Sequence, residues 1–294
     1  MFAFIISNGR SGSTLVQEIL ARHPDVGFIA NLEDRFRRFP KAATRFNNAV
    51  YRRVPQALTR KGRARYAPSE GWRLLNREVS PLLLRSTRDL LDSDARAMRW
   101  IADDFRSFFE ERARLQGKPL FLHKFTGWPR TGFIRVAFPD ARFINVVRDG
   151  RAVVASDLRI DWWRGWLGAD NLGCGPLPPE YLAEWEASGR SFPLLAALSW
   201  KVVMNAYAAA RELVPAEQWL DVRYEDVLAD PQSRFKEMLD FLGLRSSPVF
   251  DLALKRAKIH ASRGDAFRRL LDAPTIELLN RSLGEHLRAW GYEV

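Results

Sequence analysis

The sequence is short of cysteine and of long hydrophobic runs. Its 294 residues include one cysteine, Cys174, so an internal disulfide, and with it a disulfide-stapled secreted module, is excluded. No window reaches the ~18 apolar residues of a membrane span, and the apolar run from Phe2 to Ser7 is too short for a signal peptide. The four histidines lack metal-ligand spacing. We therefore expect a metal-free, cytoplasmic, globular protein that is long enough to bury a core.

Acidic residues are missing from one segment. Between Arg35 and Tyr66 there are eleven Lys and Arg but no Asp or Glu, and this segment alone accounts for the formal net charge of +11. Such a block attracts polyanions, whether nucleic acid, an acidic glycan, an acidic peptide or anionic lipid. A solvated helical face explains the same pattern equally well.

The hydrophobic pattern alternates between two periods. Strand-like runs occupy 2–7, 119–124, 141–147 and 219–223, and helical periodicity occupies 13–22, 93–115, 131–138, 151–158, 194–213, 233–242 and 275–290. Strands that alternate with helices predict an α/β fold with a mostly parallel central sheet flanked by helices. Ligands of such sheets bind at the carboxyl ends of the strands. The long irregular stretch 158–193 is rich in tryptophan and is predicted to be a lid or binding loop, unless its rings simply pack against the domain.

The first strand is joined to the first helix by Gly-Arg-Ser-Gly-Ser-Thr, residues 9–14. Two glycines let backbone N–H groups converge on an anion, and the helix N-terminus adds positive potential. The Arg10 guanidinium and the hydroxyls of Ser11, Ser13 and Thr14 are further donors. The loop is therefore predicted to hold a phosphate-like group. It lacks the Gly-x-x-x-x-Gly-Lys-Ser/Thr pattern of the Walker A loop, which disfavours a nucleoside triphosphatase.

A second polar motif, Arg-Asp-Gly-Arg, follows the strand at 141–147. Its first residue, Arg148, stands at the end of the strand, and Ser156 lies about two turns along the next helix. These two side chains are suited to hold a second phosphate. Taken alone, the motif is also typical of an ordinary charged turn.

Together the two motifs resemble those of the sulfotransferases that use 3′-phosphoadenosine 5′-phosphosulfate (PAPS). Further similarities follow in the same chain order: Phe-Leu-His-Lys ending at Lys124, Trp200 in a long helix, and a Tyr-Glu-Asp segment that begins at Tyr224. The resemblance covers about residues 2–30 and 120–245. Arg-Ser-Gly-Ser-Thr, His-Pro-Asp-Val and Arg-Asp-Gly-Arg are closer to the protein-tyrosine and glycan sulfotransferases than to the phenol and steroid enzymes.

The resemblance implies a P-loop-like three-layer fold, one domain over 1–294, and metal-free, in-line transfer of a sulfuryl group from PAPS to an acceptor hydroxyl. It implies that Arg10 and Lys124 neutralise the bridging and sulfuryl oxygens, while Arg148 and Ser156 hold the 3′-phosphate and Tyr224 lies by the adenine. The 5′-phosphosulfate would be held by Arg10, Ser11, Gly12, Ser13 and Thr14.

The catalytic base has two candidates. The protein-tyrosine branch carries a Glu soon after the first helix, and strict counting from the loop falls two residues short of Glu33. The phenol and steroid branch uses a His two residues after its Lys, whereas His123 directly precedes Lys124 here. Because adjacent strand residues face opposite sides, these two should not both face the site. Glu33 is thus the first candidate and His123 the second, although a surface carboxylate near Arg35 and Arg37 also explains Glu33.

Two regions depart from the family. The Arg-Lys-Gly triplet that closes the 3′-phosphate site in cytosolic members is absent, and Arg263 in Ser-Arg-Gly is the nearest substitute. The basic helical insertion, 35–118, is predicted to bind a hydroxylated acceptor, which is anionic if the charge is functional. Three other functions stay open: a nucleic-acid-binding basic protein, a small-molecule kinase that uses ATP, and a non-catalytic family member.

Overall fold

A five-stranded parallel sheet forms the centre of the protein. The computed structural model describes residues 1–55, 66–257, 259 and 266–294. The sheet has the order β2-β3-β1-β4-β5, with parallel pairing between all neighbours. Near-continuous apolar runs suit strands that are covered on both faces. The strands are β1 (Phe2–Ser7), β2 (Val26–Gly27), β3 (Leu120–Thr126), β4 (Arg142–Val147) and β5 (Trp219–Arg223).

Helices connect the strands and cover both faces. Short 3-10 turns occur at Lys41–Phe46, Gly165–Leu167, Ala169–Asn171 and Ala216–Gln218. The α-helices of the described residues are α1 (Ser13–Leu20), α2 (Asn31–Arg35), α3 (Asn47–Arg53), α4 (Trp72–Glu78), α5 (Leu82–Arg85), α6 (Asp92–Ala97), α7 (Arg99–Gln116), α8 (Thr131–Ala137), α9 (Gly150–Asp157), α10 (Pro179–Ala187), α11 (Phe192–Leu213), α12 (Tyr224–Ala229), α13 (Pro231–Phe241), α14 (Pro248–Arg256), α15 (Phe267–Leu270) and α16 (Ala273–Ala289).

The sheet separates two hydrophobic cores. Phe4 of β1 belongs to one core, where its ring lies 5.7 Å from that of Phe109 in α7. The next residue, Ile5, belongs to the other core, together with Val16 of α1 and Phe235 of α13. Successive strand residues alternate between the faces, so burial on both sides requires a helical layer above and below. This is the three-layer α/β fold that the sequence predicts.

Several element predictions need correction. The helix expected over 93–115 is two helices, because the chain leaves helical geometry at Met98 (φ −114°, ψ 52°) between α6 and α7. The stretch 158–193, expected to be irregular throughout, contains α10, which starts at Pro179, where the fixed φ of proline suits a first helical turn. The two-residue strand β2 was missed, since it is too short to show a period.

The insertion after β2 returns to the carboxyl edge of the sheet. Ala30 and Pro68 form an antiparallel bridge. Beside it, the Asn31 N–H donates to the Ala67 carbonyl at 2.8 Å and the Ser69 N–H donates to the Ile29 carbonyl at 2.8 Å. This pairing fixes the residues that lead into α4 beside the end of β2. None of the described helices is long and apolar enough to cross a bilayer.

Candidate active site

The loop between β1 and α1 forms a tight turn around Gly12. Arg10 and Gly12 take positive φ angles of 65° and 85°, and glycine adopts such angles without steric cost. A Cβ on Gly12 would lie 2.2 Å from the ring of Tyr224, so the close approach of that ring also needs glycine. The Ser7 hydroxyl donates to Ser13 Oγ at 2.7 Å. The loop thus presents the N-terminus of α1 at the carboxyl end of β1, where an anion is favoured.

Two arginines connect the two phosphate motifs. Arg10 Nε donates to Ser156 Oγ at 2.8 Å, and Arg148 Nη1 donates to the carbonyl of Arg10 at 2.9 Å. The Arg148 guanidinium lies 5.2 Å from the centre of the Tyr224 ring, within range of a cation–π contact. The tertiary structure therefore joins motifs from β1, β4 and β5 at one edge of the sheet.

The remainder of the Arg-Asp-Gly-Arg motif holds the backbone in place. The Asp149 carboxylate accepts the N–H of Arg151 at 2.8 Å and caps α9. It also pairs with the Arg151 guanidinium at 2.7 Å, and that guanidinium donates to the carbonyl of Glu293 near the C-terminus at 2.7 Å. The capped turn orients Arg148 toward the loop after β1.

Lys124 joins the phosphate loop to a carboxylate that comes from the insertion. Its ammonium donates to Thr14 Oγ1 at 2.7 Å and lies 2.9 Å from Glu70 Oε1. Thr126 donates its hydroxyl to Glu70 Oε2 at 2.7 Å, and the Trp72 indole N–H donates to the same oxygen at 3.2 Å. Burial by itself would raise the pKa of Glu70, but the Lys124 charge and these hydrogen bonds outweigh it and hold the pKa below its usual range. Glu70 is therefore an ionised carboxylate at neutral pH.

Most of the residues predicted for the donor site lie together. They share the carboxyl ends of β1, β3, β4 and β5, in contact with or directly beside the phosphate loop. Arg263 lies outside the described residues. The residues brought together are Arg10, Ser11, Gly12, Ser13, Thr14, Lys124, Arg148, Ser156 and Tyr224.

The two predicted bases are buried among other side chains. Glu33 is buried with Arg112, whose Nε donates to Glu33 Oε1 and whose Nη2 pairs with Glu78 at 2.9 Å. Burial raises the pKa of Glu33 despite the charge of Arg112. His123 packs with ring centroids 5.0 Å from Phe109 and 4.7 Å from Phe125. Burial lowers its pKa to about 3. Neither side chain is among those that hold Lys124.

Glu70 is the functional candidate that the sequence analysis missed. It is the first acidic residue after the basic segment, and that position alone does not predict a functional role. Its position depends on the bridge between Ala30 and Pro68. No local sequence pattern predicts that contact. A carboxylate carried by an insertion reaches the site only through tertiary pairing.

A cavity of about 610 Å³ opens beside the pair formed by Glu70 and Lys124. This volume is typical of sites for small molecules, which span about 300–1,000 Å³. Residues just after β1 and β3 form one wall, and the insertion and the segment 158–193 form the others. Trp162 is 60 % exposed and also lines the cavity, so it marks the mouth. Side chains that define its chemistry are Glu70, Trp72, Trp128, Asp157, Trp162 and Trp163.

The end of the described part of the basic segment, at Arg52 to Val54, lies near the amino ends of the strands. Arg22, just after α1, donates to the carbonyl of Val54 at 3.0 Å. Lys118 precedes β3 and donates to the carbonyl of Pro24, which precedes β2, at 2.7 Å. Burial and the nearby charge of Arg52 lower the pKa of Lys118. Since the cavity is at the carboxyl ends of the strands, Arg52 is near the amino ends and does not line it.

The fold is similar to that of solved sulfotransferase domains. The one from the Synechococcus PCC 7002 olefin synthase is 19% identical, with a TM-score of 0.52 over 100% of this chain and 95% of that chain. The one from the curacin biosynthetic pathway is 17% identical, with a TM-score of 0.54 over 99% and 98%. Sulfotransferase STF1 from Mycobacterium tuberculosis is 18% identical, with a TM-score of 0.54 over 96% and 76%. At these identities the likeness concerns the fold alone.

The family of the chain follows from a comparison of its sequence with family profiles. A profile of the sulfotransferase family matches residues 3–248, which is most of the chain. The comparison with curated proteins found no match. The chain belongs to the sulfotransferase family, and the prediction of an enzyme of the PAPS-dependent sulfotransferase class is confirmed. The branch within the family stays a prediction.

Proposed function

We propose that the protein transfers the sulfuryl group of PAPS to a hydroxyl of a small acceptor that binds in the cavity of about 610 Å³. The observation that carries this proposal is the convergence of Arg10, Arg148, Ser156 and Lys124 around one loop at the carboxyl ends of the strands. Three cations and a helix N-terminus within one cluster suit a ligand with several phosphate-like groups.

The residues fit the two ends of the donor. Thr14 lies in the first turn of α1, and its hydroxyl accepts a hydrogen bond from the Lys124 ammonium of β3. We assign the 5′-phosphosulfate to this position. Arg148 and Ser156 take the 3′-phosphate, and Tyr224, whose ring lies against Gly12 and below Arg148, takes the adenine side. PAPS supplies the sulfuryl group as a co-substrate.

The transfer needs a base and a place for negative charge. The acceptor oxygen forms a bond to sulfur as the bond from sulfur to the bridging oxygen breaks, and 3′-phosphoadenosine 5′-phosphate (PAP) leaves. We assign the acceptor proton to Glu70, which is ionised and lines the cavity. Lys124 and Arg10 stabilise the charge that develops on the leaving phosphate, since fixed cations in a partly buried site act strongly on developing charge.

Glu70 replaces Glu33 and His123 as the proposed base for a geometric reason. Its carboxylate is 2.9 Å from the same ammonium that touches the phosphate loop. Glu33 is held by Arg112, and His123 is enclosed by phenylalanine rings. A base must reach the acceptor hydroxyl directly or through one water.

We further propose that the chain is one sulfotransferase domain and that the insertion 35–118 takes part in acceptor binding. Its contribution comes from Glu70, Trp72, Leu84 and Ser86, which line the cavity, rather than from Arg52 and Arg53. The segment 158–193 supplies the facing wall. A small acceptor is therefore favoured over a polyanion.

The test is the binding of PAP by calorimetry, beside ATP with Mg²⁺ and 5′-AMP. We expect PAP to bind most tightly and Arg148→Ala to weaken it about 10- to 100-fold, since a hydrogen bond to a charged group is worth about 1.5–3 kcal/mol. Arg96→Ala is the matched control, because Arg96 pairs with Asp92 on an exposed helical face. Tighter binding of ATP with Mg²⁺, or equal loss in both variants, would contradict the proposal.

A further inference from the structure

The cavity contains a second carboxylate that the proposed reaction does not use. Asp157 is the last residue of α9 and follows Ser156, so it stands between the donor site and the cavity. Among the described residues, its carboxylate has no hydrogen bond or ion pair. Burial raises its pKa to about 7, and only the more distant charges of Arg10 and Arg148 oppose that effect. An unpaired buried carboxylate is costly to keep.

The other charged groups of the cavity are already engaged or face solvent. Glu70 is paired with Lys124 at 2.9 Å. Arg130 is buried, and its guanidinium donates to the carbonyls of Thr126 at 3.2 Å and Trp128 at 2.5 Å. Arg164 is exposed. Among the described lining residues, Asp157 is therefore the carboxylate that has no ion pair, whereas the Arg130 guanidinium is held by carbonyl oxygens.

Binding of the donor raises the free-energy cost of keeping the Asp157 carboxylate ionised without a partner. In the proposed function Arg10 and Arg148 hold the phosphates of PAPS, so their positive field no longer offsets Asp157. The carboxylate then either takes up a proton or pairs with a cation. Trp72, Trp128 and Trp162 line the same cavity, and indole rings attract organic cations as well as apolar groups.

We propose that Asp157 binds a protonated amine of the acceptor, so that the substrate class is a small hydroxylated amine with an aromatic or apolar body. This inference rests on the proposed function. The hydroxyl end lies toward Glu70 and Lys124, the amine end toward Asp157, and the body against the tryptophans. The size of the cavity, about 610 Å³, suits such a molecule.

The test uses three phenols that differ in one group: 4-(2-aminoethyl)phenol, 4-ethylphenol and 3-(4-hydroxyphenyl)propionate. Their dissociation constants are measured by calorimetry on the full chain saturated with PAP, and transfer from PAPS is measured for each. We expect the amine to bind most tightly and the carboxylate most weakly. Asp157→Asn should weaken amine binding about 10- to 100-fold and leave the neutral phenol within about threefold. Asp161→Asn, at an exposed aspartate outside the cavity lining, is the matched control.

Several outcomes would overturn the inference. These are a preference for the neutral or anionic phenol, equal losses for all three phenols in Asp157→Asn, and binding of PAP without binding of any phenol. The ranking in the unmutated protein tests the inference even if the variant does not fold. Failure of PAP itself to bind would instead overturn the proposed function, so the two failures are distinguishable.

Discussion

The Lys124 ammonium lies 2.9 Å from the Glu70 carboxylate and 2.7 Å from the Thr14 hydroxyl. One cation thus connects the phosphate loop after β1 with the carboxylate that faces the acceptor cavity. A group-transfer site needs a positive charge at the bond that breaks and a base at the bond that forms. This contact places both within one hydrogen-bonded unit, and it is the basis of the first prediction.

Glu70→Gln should lower kcat by about 10²- to 10⁴-fold, the usual contribution of a general base, and leave PAP affinity unchanged. Glutamine still accepts a hydrogen bond from Lys124 but takes up no proton at neutral pH. Glu33→Gln is the comparison: it should retain kcat and cost about 3–5 kcal/mol of stability, because Arg112 loses a buried ionic partner. Steady-state rates and thermal melts of both variants check this. A larger rate loss for Glu33→Gln would return the role of base to that residue.

Gly12→Ala should cost much more stability and PAP affinity than Gly117→Ala. Both glycines have positive φ angles, 85° and 57°, but a Cβ at Gly12 meets the Tyr224 ring at 2.2 Å, whereas a Cβ at Gly117 meets nothing within 4 Å. The control therefore carries only the backbone cost, about 1–2 kcal/mol. Melting temperatures and PAP titrations separate the two effects. Equal losses in both variants would show that contact with Tyr224 is unimportant.

The effect of Asp157→Asn on stability should depend on pH. The pKa of Asp157 is raised from 3.8 to about 7 in the folded protein, so the folded state binds this proton more tightly than the unfolded chain. Its contribution to stability is present below pH 3.8 and is lost as the pH rises toward about 7. At pH 8 the asparagine variant should be more stable than the unmutated protein by up to about 4 kcal/mol, and the difference should shrink steadily on acidification until little is left at pH 3.8. Thermal melts at the two pH values measure this, and a constant offset would argue against the shift.

Neutral replacement of Arg52 and Arg53 should leave the acceptor KM unchanged if the acceptor binds in the cavity. Arg52 acts on Lys118 near the amino ends of the strands, away from the proposed reaction. Trp163→Ala is the positive comparison, since this side chain lines the cavity and should raise KM. KM for acceptor and donor is measured in each variant. A rise in acceptor KM for the arginine variant alone would restore the basic segment as the acceptor site.

Local sequence patterns predicted most of the fold and the residues of the proposed donor site. The strands β1, β4 and β5 and the helix α11 are long or strongly apolar, so period and composition identify them. The loop around Gly12 is recognisable because glycine and hydroxyl residues must lie between a strand and a helix for an anion to bind there. The pair of Arg148 and Ser156 is separated by two helical turns, a spacing that a single helix fixes.

The residues proposed to bind the acceptor could not be predicted in the same way, because they meet through contacts between distant segments. Glu33 and Glu70 are both carboxylates between β2 and β3, and only folding pairs the first with Arg112 and the second with Lys124. His123 and Lys124 are neighbours whose opposite directions follow from the strand, but the sequence does not show which face bears the site. The sequence by itself determined the fold class and the family, and it predicted an anion-binding loop, because those follow from local periods and spacing. Only the tertiary structure showed the pairing of Glu70 with Lys124, the cavity and the unpaired carboxylate of Asp157, because burial and ion pairing arise from residues that the fold brings together.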